Sequence, residues 1–212
     1  MSAQAIRKKS AKKRDPERPA FEIVAVAASA GGLSALSLLV RGLPREFPAA
    51  VLIVQHLDPR HRSLIADILS RRTQLRVKQA EDGEAIQAGS VYIAPPDHHL
   101  LVNGDHTLSL THTELVHFVR PSADLLFESV AASYKDRAIG VVLSGSGSDG
   151  AMGVQAVKKM GGTVLAQDKE TAEFFGMPGA AAETGCVDFT LPLQEIAPAL
   201  VALVTGSIDD GR

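Results

Sequence analysis

The feature that most constrains the fold is an alternation of short apolar runs with helical repeats from Phe21 onward. The runs Ile23–Ala28 (IVAVAA), Ala50–Gln55 (AVLIVQ) and Ile139–Ser144 (IGVVLS) are short and rich in β-branched residues. Leucines recur at helical spacing after the first two runs, and glycine or proline ends each repeat. This alternation predicts an α/β domain that is doubly wound, with a mostly parallel central sheet and flanking helices.

The middle of the chain has a different pattern, which predicts an inserted antiparallel hairpin near residues 91–110. A short strand at Val91–Ala94 precedes it. His98–Val102 is then expected to pair with His106–Leu110 across the turn sequence Asn103-Gly104-Asp105. An Asn-Gly pair between apolar runs is a strong hairpin signal.

Length and charge predict one domain preceded by a basic arm. A chain of 212 residues is long enough for one well-packed core. Residues 1–20 contain seven Lys or Arg and two acidic residues, with too few apolar groups to order themselves. We therefore expect an arm or linker at 1–20, a domain at 21–206 and a tail at 207–212. Without a secretory or membrane-spanning apolar run, the expected location is the cytoplasm, with no direct membrane insertion.

Composition argues against several classes of function. The chain has no Trp, 4% aromatic residues and a net charge of -2, so we expect no nucleic-acid partner. Its single cysteine, Cys186, cannot form an internal disulfide, and nothing indicates an oxidising compartment. The sequence predicts no cofactor and no metal.

Three predicted strands end at polar residues of complementary chemistry: Ser29, His56 and, through a glycine-rich turn, Asp149. Ligands of parallel α/β sheets bind outside the carboxyl ends of the strands, so these side chains are expected to converge. A neutral imidazole can take a serine proton while a carboxylate orients the ring. Each residue also has a structural interpretation, with Ser29 or Asp149 as a helix cap and His56 as a packed side chain.

The residues around Ser29 favour a nucleophile. The sequence Ala27-Ala28-Ser29-Ala30-Gly31 is a near match to the GxSxG turn that exposes a serine hydroxyl between a strand and a helix. Backbone N–H groups at the start of the helix, including that of Ala30, could stabilise an oxyanion.

Seven motifs in order resemble those of the chemotaxis protein-glutamate methylesterase family. They cover roughly residues 21–204 and read VAVAASAGG, VQHLDP, AEDGE, VYIAPPDHH, RPSADLLFESVA, GVVLSGSGSDGAMG and AQDKETAEFFGMPGAA. The resemblance implies Ser29 as nucleophile, His56 as base and Asp149 as the acid that orients it. It further implies a methylated chemoreceptor as protein substrate, methanol as a product, and a second activity that deamidates receptor glutamines.

The chain departs from that family pattern at three small residues and at its amino end. Ala27 and Ala30 flank the nucleophile where the family has Gly and Thr, and Ser146 replaces a Met whose backbone resembles an oxyanion donor. The receiver domain that usually precedes the catalytic domain is not found before Phe21. We therefore expect either an excised or free-standing catalytic domain, or control by a separate regulatory receiver protein as partner.

Two other interpretations stay open from the residues. A non-catalytic receptor-binding adaptor would follow if Ala30 and Ser146 were early losses of activity. A dinucleotide-binding module would use Gly145–Gly150, which matches GxGxxG, although Asp149 would repel a pyrophosphate there.

Five histidines suggest a metal site but lack the usual ligand spacing: His98, His99, His106, His112 and His117.

Overall fold

The computed structural model describes residues 21–56 and 63–206. The strands within these ranges are β1 (Ile23–Ala28), β2 (Ala50–Gln55), β3 (Arg76–Gln79), β4 (Ser90–Ile93), β5 (His99–Val102), β6 (Leu108–Thr111), β7 (Ala138–Val142), β8 (Thr163–Gln167) and β9 (Phe189–Leu191). Seven of these strands form one parallel sheet in the order β3-β4-β2-β1-β7-β8-β9. A separate antiparallel pair is formed by β5 and β6.

Helices cover both faces of the large sheet. They are α1 (Gly32–Arg41), α2 (Ile65–Ser70), α3 (Ala123–Tyr134), α4 (Ala151–Lys159), α5 (Gly176–Glu183) and α6 (Leu193–Thr205), with a short 3-10 turn at Lys135–Arg137. One buried apolar cluster joins a sheet face to α1, α2 and α6. The other joins the opposite face to α3, α4, α5 and the hairpin.

Burial on both faces explains why the central strands carry so few polar side chains. Every residue of β1, β2 and β7 is buried. Strands covered on both sides read as continuous apolar runs rather than as an alternation. The predicted doubly wound α/β fold, with its mostly parallel sheet and inserted hairpin, is confirmed.

The inserted hairpin is smaller than the sequence predicts. Strand β4 belongs to the large sheet, where it lies parallel between β2 and β3. The hairpin consists of β5 and β6 alone, and Val102 pairs with Leu108. The loop therefore spans five residues instead of the three in Asn103-Gly104-Asp105, because Asp105 accepts hydrogen bonds from Thr107 and closes its own local turn.

The predicted arm at 1–20 and tail at 207–212 lie outside the described residues. None of the helices within 21–56 and 63–206 combines the length and apolar character that crossing a membrane requires.

Candidate active site

The polar residues that follow β1, β2 and β7 meet at the carboxyl edge of the large sheet. Strand β1 lies between β2 and β7, and Ala28 of β1 pairs with Gln55 of β2. Ser29 and His56 are the next residues of these two strands, so they leave the sheet side by side. Adjacent strands are about 4.8 Å apart, which brings the two backbones within reach of one substrate group.

His56 and Asp149 are in direct contact although 93 residues separate them. His56 Nε2 lies 2.8 Å from Asp149 Oδ2. The His56 side chain is 13% exposed and that of Asp149 is 5% exposed, so little water competes for this hydrogen bond. The structure thus brings together two of the three residues in the predicted triad through a short side-chain contact.

Asp149 is held by three further donors. Its Oδ1 accepts the Ser122 hydroxyl at 2.9 Å and the Asp124 N–H at 3.1 Å, and its Oδ2 accepts the Ala123 N–H at 2.6 Å. Burial alone would raise the pKa of Asp149, but the bonds from His56 and from these backbone groups outweigh it and lower that pKa below its usual value. Asp149 is therefore ionised at neutral pH.

An ionised carboxylate only accepts hydrogen bonds, so His56 Nε2 carries the proton in this contact. The other ring nitrogen, Nδ1, is then the acceptor of the neutral imidazole. A base at this position would take its proton through Nδ1.

Ser29 has an anchored backbone and an uncommitted hydroxyl. Its N–H donates to Ser144 O at 3.0 Å, and its carbonyl accepts the Gln55 side-chain amide at 2.8 Å. The Ser29 hydroxyl makes no hydrogen bond within the described residues. A Cβ added at Gly145 would lie 3.0 Å from Ser29 Cβ, so the loop after β7 passes the serine in tight contact.

The backbone N–H groups of Ala30 and Ser146 are also uncommitted within the part of the chain that the structure describes. They belong to the turn after Ser29 and to the loop after β7, the two segments that meet at Gly145. The Ser144 hydroxyl joins these surroundings, since it donates to Ala30 O and accepts the Phe174 N–H. The arrangement provides two backbone donors that a developing oxyanion could use.

The motif Phe175-Gly176-Met177-Pro178 packs against the loop after β7. The Met177 N–H donates to Gly145 O at 2.8 Å. A Cβ at Gly176 would lie 3.0 Å from both Gly145 O and the Gly147 nitrogen, so the loop would have to shift to accept a larger residue there. The motif therefore shapes the site by packing against the loop.

Sequence reasoning missed two positioning contacts. The buried Gln55 amide donates to the carbonyls of both Ser29 and His56, at 2.8 and 3.1 Å, and so links the ends of β1 and β2. Ser122 precedes α3, the position expected of its N-cap, but its side chain does not cap the helix. It donates to Asp149, whose carboxylate caps α3 instead.

The histidine-rich segment has structural contacts. Buried His99 bridges the Glu114 carbonyl and the Ser122 N–H, and His112 contacts Asp97. Arg120 binds Asp97. Across residues 21–56 and 63–206, no group of three or more His, Cys, Asp or Glu side chains is arranged to hold a metal ion.

The glycine-rich loop after β7 does not resemble a free phosphate cradle. The Gly145 N–H already donates to Phe174 O. Asp149, at the other end of the loop, places a buried carboxylate against the start of α3. This arrangement argues against the dinucleotide-binding hypothesis.

Comparison with known proteins gives one consistent family. The family model described as CheB methylesterase matches residues 24–200. A relative from Leptospira interrogans, named putative protein-glutamate methylesterase/protein-glutamine glutaminase, is 39% identical over 189 residues, which cover 89% of this chain and 98% of that relative. A relative from Thermotoga maritima with the same name, without "putative", is 41% identical over 86% of this chain and 54% of its own length.

A solved structure agrees with these matches. The crystal structure of the Thermotoga maritima CheB methylesterase catalytic domain has a TM-score of 0.84 and 40% identity, and the match covers 87% of this chain and 99% of that one. The chain thus spans nearly all of the Leptospira relative and of this catalytic domain, but about half the length of several other curated relatives. On these matches, the chain belongs to the CheB methylesterase family.

Proposed function

We propose that this chain is a serine esterase that hydrolyses glutamate methyl esters on chemoreceptors and releases methanol. The observation that carries the proposal is the 2.8 Å contact between His56 Nε2 and Asp149. It lies beside the strand end that carries Ser29, whose hydroxyl makes no hydrogen bond within the described residues. The names of the relatives, protein-glutamate methylesterase/protein-glutamine glutaminase, support both the ester substrate and a second activity on receptor glutamines.

In the first half of the reaction, His56 Nδ1 accepts the Ser29 proton as the Ser29 oxygen attacks the ester carbonyl carbon. The backbone N–H groups of Ala30 and Ser146 bind the resulting oxyanion. Collapse of the tetrahedral species breaks the bond to the methoxy oxygen, which leaves with the proton from His56 as methanol. The glutamyl group is then an ester of Ser29.

In the second half, water attacks the glutamyl-serine ester while His56 takes its proton. The Ser29 oxygen leaves and recovers that proton, which frees the glutamate side chain. Asp149 stays ionised throughout and stabilises the imidazolium formed in each half. A glutamine side chain follows the same steps with ammonia as the first leaving group.

The wider setting is also proposed. The protein substrate is a methylated chemoreceptor on the cytoplasmic side, which the domain at 21–206 meets without inserting into the membrane. Control comes from a separate regulatory receiver protein.

The decisive experiment measures methanol release from methylated receptor by the wild type, Ser29→Ala and Ser34→Ala. Ser34 lies exposed on α1, one turn from the site, and is a matched serine control. We expect release by the wild type and Ser34→Ala and none by Ser29→Ala, with the same order for labelling by an organophosphorus probe. If the wild type neither releases methanol nor takes the label, the non-catalytic adaptor is the better explanation.

A further inference from the structure

The starts of α3 and α4 cap each other through two buried carboxylates. Asp149, in the loop before α4, accepts the N–H groups of Ala123 and Asp124 at the start of α3. Asp124, in the first turn of α3, uses Oδ1 to accept the N–H groups of Gly150 and Gly153 at the start of α4, at 2.9 and 2.7 Å. Each helix therefore supplies the cap of the other.

The two helices are in close contact at this point. A Cβ at Gly153 would lie 2.5 Å from Phe127 Cβ and 3.1 Å from Asp124 Cα, so the helices approach as far as backbone allows. Gly150 directly follows Asp149 and has a φ of 99°, and a glycine restrains the backbone less than any other residue. The bond from the Gly150 N–H to Asp124 fixes this peptide.

The negative charge of Asp124 is energetically unfavourable for a buried cap of α4. It is 3% exposed, and burial together with the charge of Asp149 raises the pKa of Asp124, against the opposing bonds from Gly153 and Gly150. A neutral acceptor could cap α4 without repelling a second carboxylate. The two bonds from Asp124 to Gly150 and Gly153, directly after Asp149 in the chain, point to a role for Asp124 in the placement of Asp149.

We propose that Asp124 is a positioning residue that holds the Asp149 carboxylate against the His56 ring. Its bonds to Gly150 and Gly153 keep the segment after Asp149 seated on α3. Without them the Gly150 peptide is free to turn, and the Asp149 side chain moves away from His56 Nε2. This inference rests on the proposed function, in which Asp149 orients the base.

The second carboxylate oxygen of Asp124 allows a sharp test of this role. Asp124 Oδ2 accepts no hydrogen bond within the described residues and lies 3.5 Å from His117 Nε2. Asp124→Asn can therefore keep the Oδ1 bonds to Gly150 and Gly153 and place its NH₂ group at the Oδ2 position. Asp124→Ala loses both bonds.

The experiment compares Asp124→Ala and Asp124→Asn with Asp188→Ala. Asp188 is a matched control, since its carboxylate is 10% exposed and accepts the Val164 N–H at 3.0 Å near the amino end of β8, at the opposite edge of the sheet. We expect Asp124→Ala to lower kcat for methyl-ester hydrolysis by roughly 10²-fold with KM little changed, because a displacement of about 1 Å can have that effect. Asp124→Asn should recover most of this loss, and Asp188→Ala should keep kcat while losing thermal stability.

A second measurement does not depend on turnover. The proton on His56 Nε2 should give a downfield NMR resonance in the wild type and in Asp124→Asn, and a broadened or absent one in Asp124→Ala. If Asp124→Ala does not fold, Asp124→Ser, whose hydroxyl can accept one of the two N–H groups, takes its place.

The proposal is overturned if Asp124→Ala keeps the kcat and the resonance of Asp188→Ala, or if Asp124→Asn is as slow as Asp124→Ala. The first result would leave Asp124 as a helix cap alone. The second would show that its charge matters rather than its hydrogen bonds to Gly150 and Gly153. Failure of the proposed function looks different, since the wild type itself would then release no methanol.

Discussion

Replacing Asp149 with asparagine removes the charge at the centre of the site and keeps the shape of the side chain. We expect kcat for ester hydrolysis to fall by up to roughly 10⁴-fold, as in serine hydrolases where the same change leaves histidine in the wrong tautomer. The amide introduced by Asp149→Asn could turn its NH₂ group toward His56 Nε2. The ring would then carry its proton on Nδ1 and could not accept the Ser29 proton.

The same substitution has a structural cost that follows from the four donors around Asp149. The carboxylate accepts the N–H of Ala123 on one oxygen and that of Asp124 on the other. An amide has one acceptor oxygen, so in either orientation one buried N–H faces an NH₂ group. An unsatisfied buried donor costs about 1–3 kcal/mol, which should lower Tm by a few degrees.

The assay separates these effects. Steady-state hydrolysis of a methyl-ester substrate is measured for wild type, Asp149→Asn and Asp188→Asn, together with thermal unfolding of each. Asp188→Asn tests the loss of a mostly buried carboxylate away from the site and should retain kcat. A loss of kcat below tenfold in a folded Asp149→Asn would refute the role given to Asp149.

Three further predictions follow from the same contacts. Gly145→Ala should reduce kcat strongly, because its Cβ would lie 2.3 Å from Met177 Sδ. Circular dichroism should show that the variant keeps its fold. Normal turnover would show that the loop has room for the added methyl group. Ionised Asp149 stabilises the fold above about pH 3.8, and this contribution is lost as pH falls through its lowered pKa. The difference in unfolding free energy between wild type and Asp149→Asn, measured by urea titration, should therefore become smaller from about pH 6 to pH 3. A constant difference would contradict this. The Glu173 carboxylate borders Gly31 beside the nucleophile and should disfavour ester substrates flanked by acidic residues. Glu173→Gln should therefore raise kcat/KM for those substrates more than for substrates flanked by lysine. Equal changes in kcat/KM would exclude a charge effect.

The central part of the fold could be predicted from the sequence because its strands are buried on both faces. That environment requires continuous apolar runs, which β1, β2 and β7 display. Edge strands lack this signature. Strand β3 (RVKQ) is mostly polar and partly exposed, and β9 has three residues, so the sequence predicts neither. The sequence does predict a strand at β4 but not its place between β2 and β3, since periodicity does not say which strands are its partners.

The contacts that position the site were less visible than its polar residues. Ser29, His56 and Asp149 follow predicted strands, and strand ends in a parallel sheet identify an edge. The cap of α3 comes instead from Asp149, 27 residues beyond Ser122, and no local capping rule could detect it. The double contact of Gln55 was hidden for a similar reason, because a glutamine at a strand end says nothing about which carbonyls it meets.

The departures at Ala30 and Ser146 bear on the proposed mechanism through their backbone rather than their side chains. Both residues keep an N–H that is uncommitted within the described ranges, and the carbonyl of Ala30 is tied to the Ser144 hydroxyl, so the turn that presents the Ala30 donor is held without a hydroxyl at position 30. The Ser146 side chain is exposed, and its loop is fixed from below by Gly176 and Met177. An oxyanion site built from backbone N–H groups tolerates such changes, whereas one that used a side-chain hydroxyl as its donor would not. Restoring the family residues with Ala30→Thr and Ser146→Met should therefore alter substrate preference at the rim more than the turnover of a small ester.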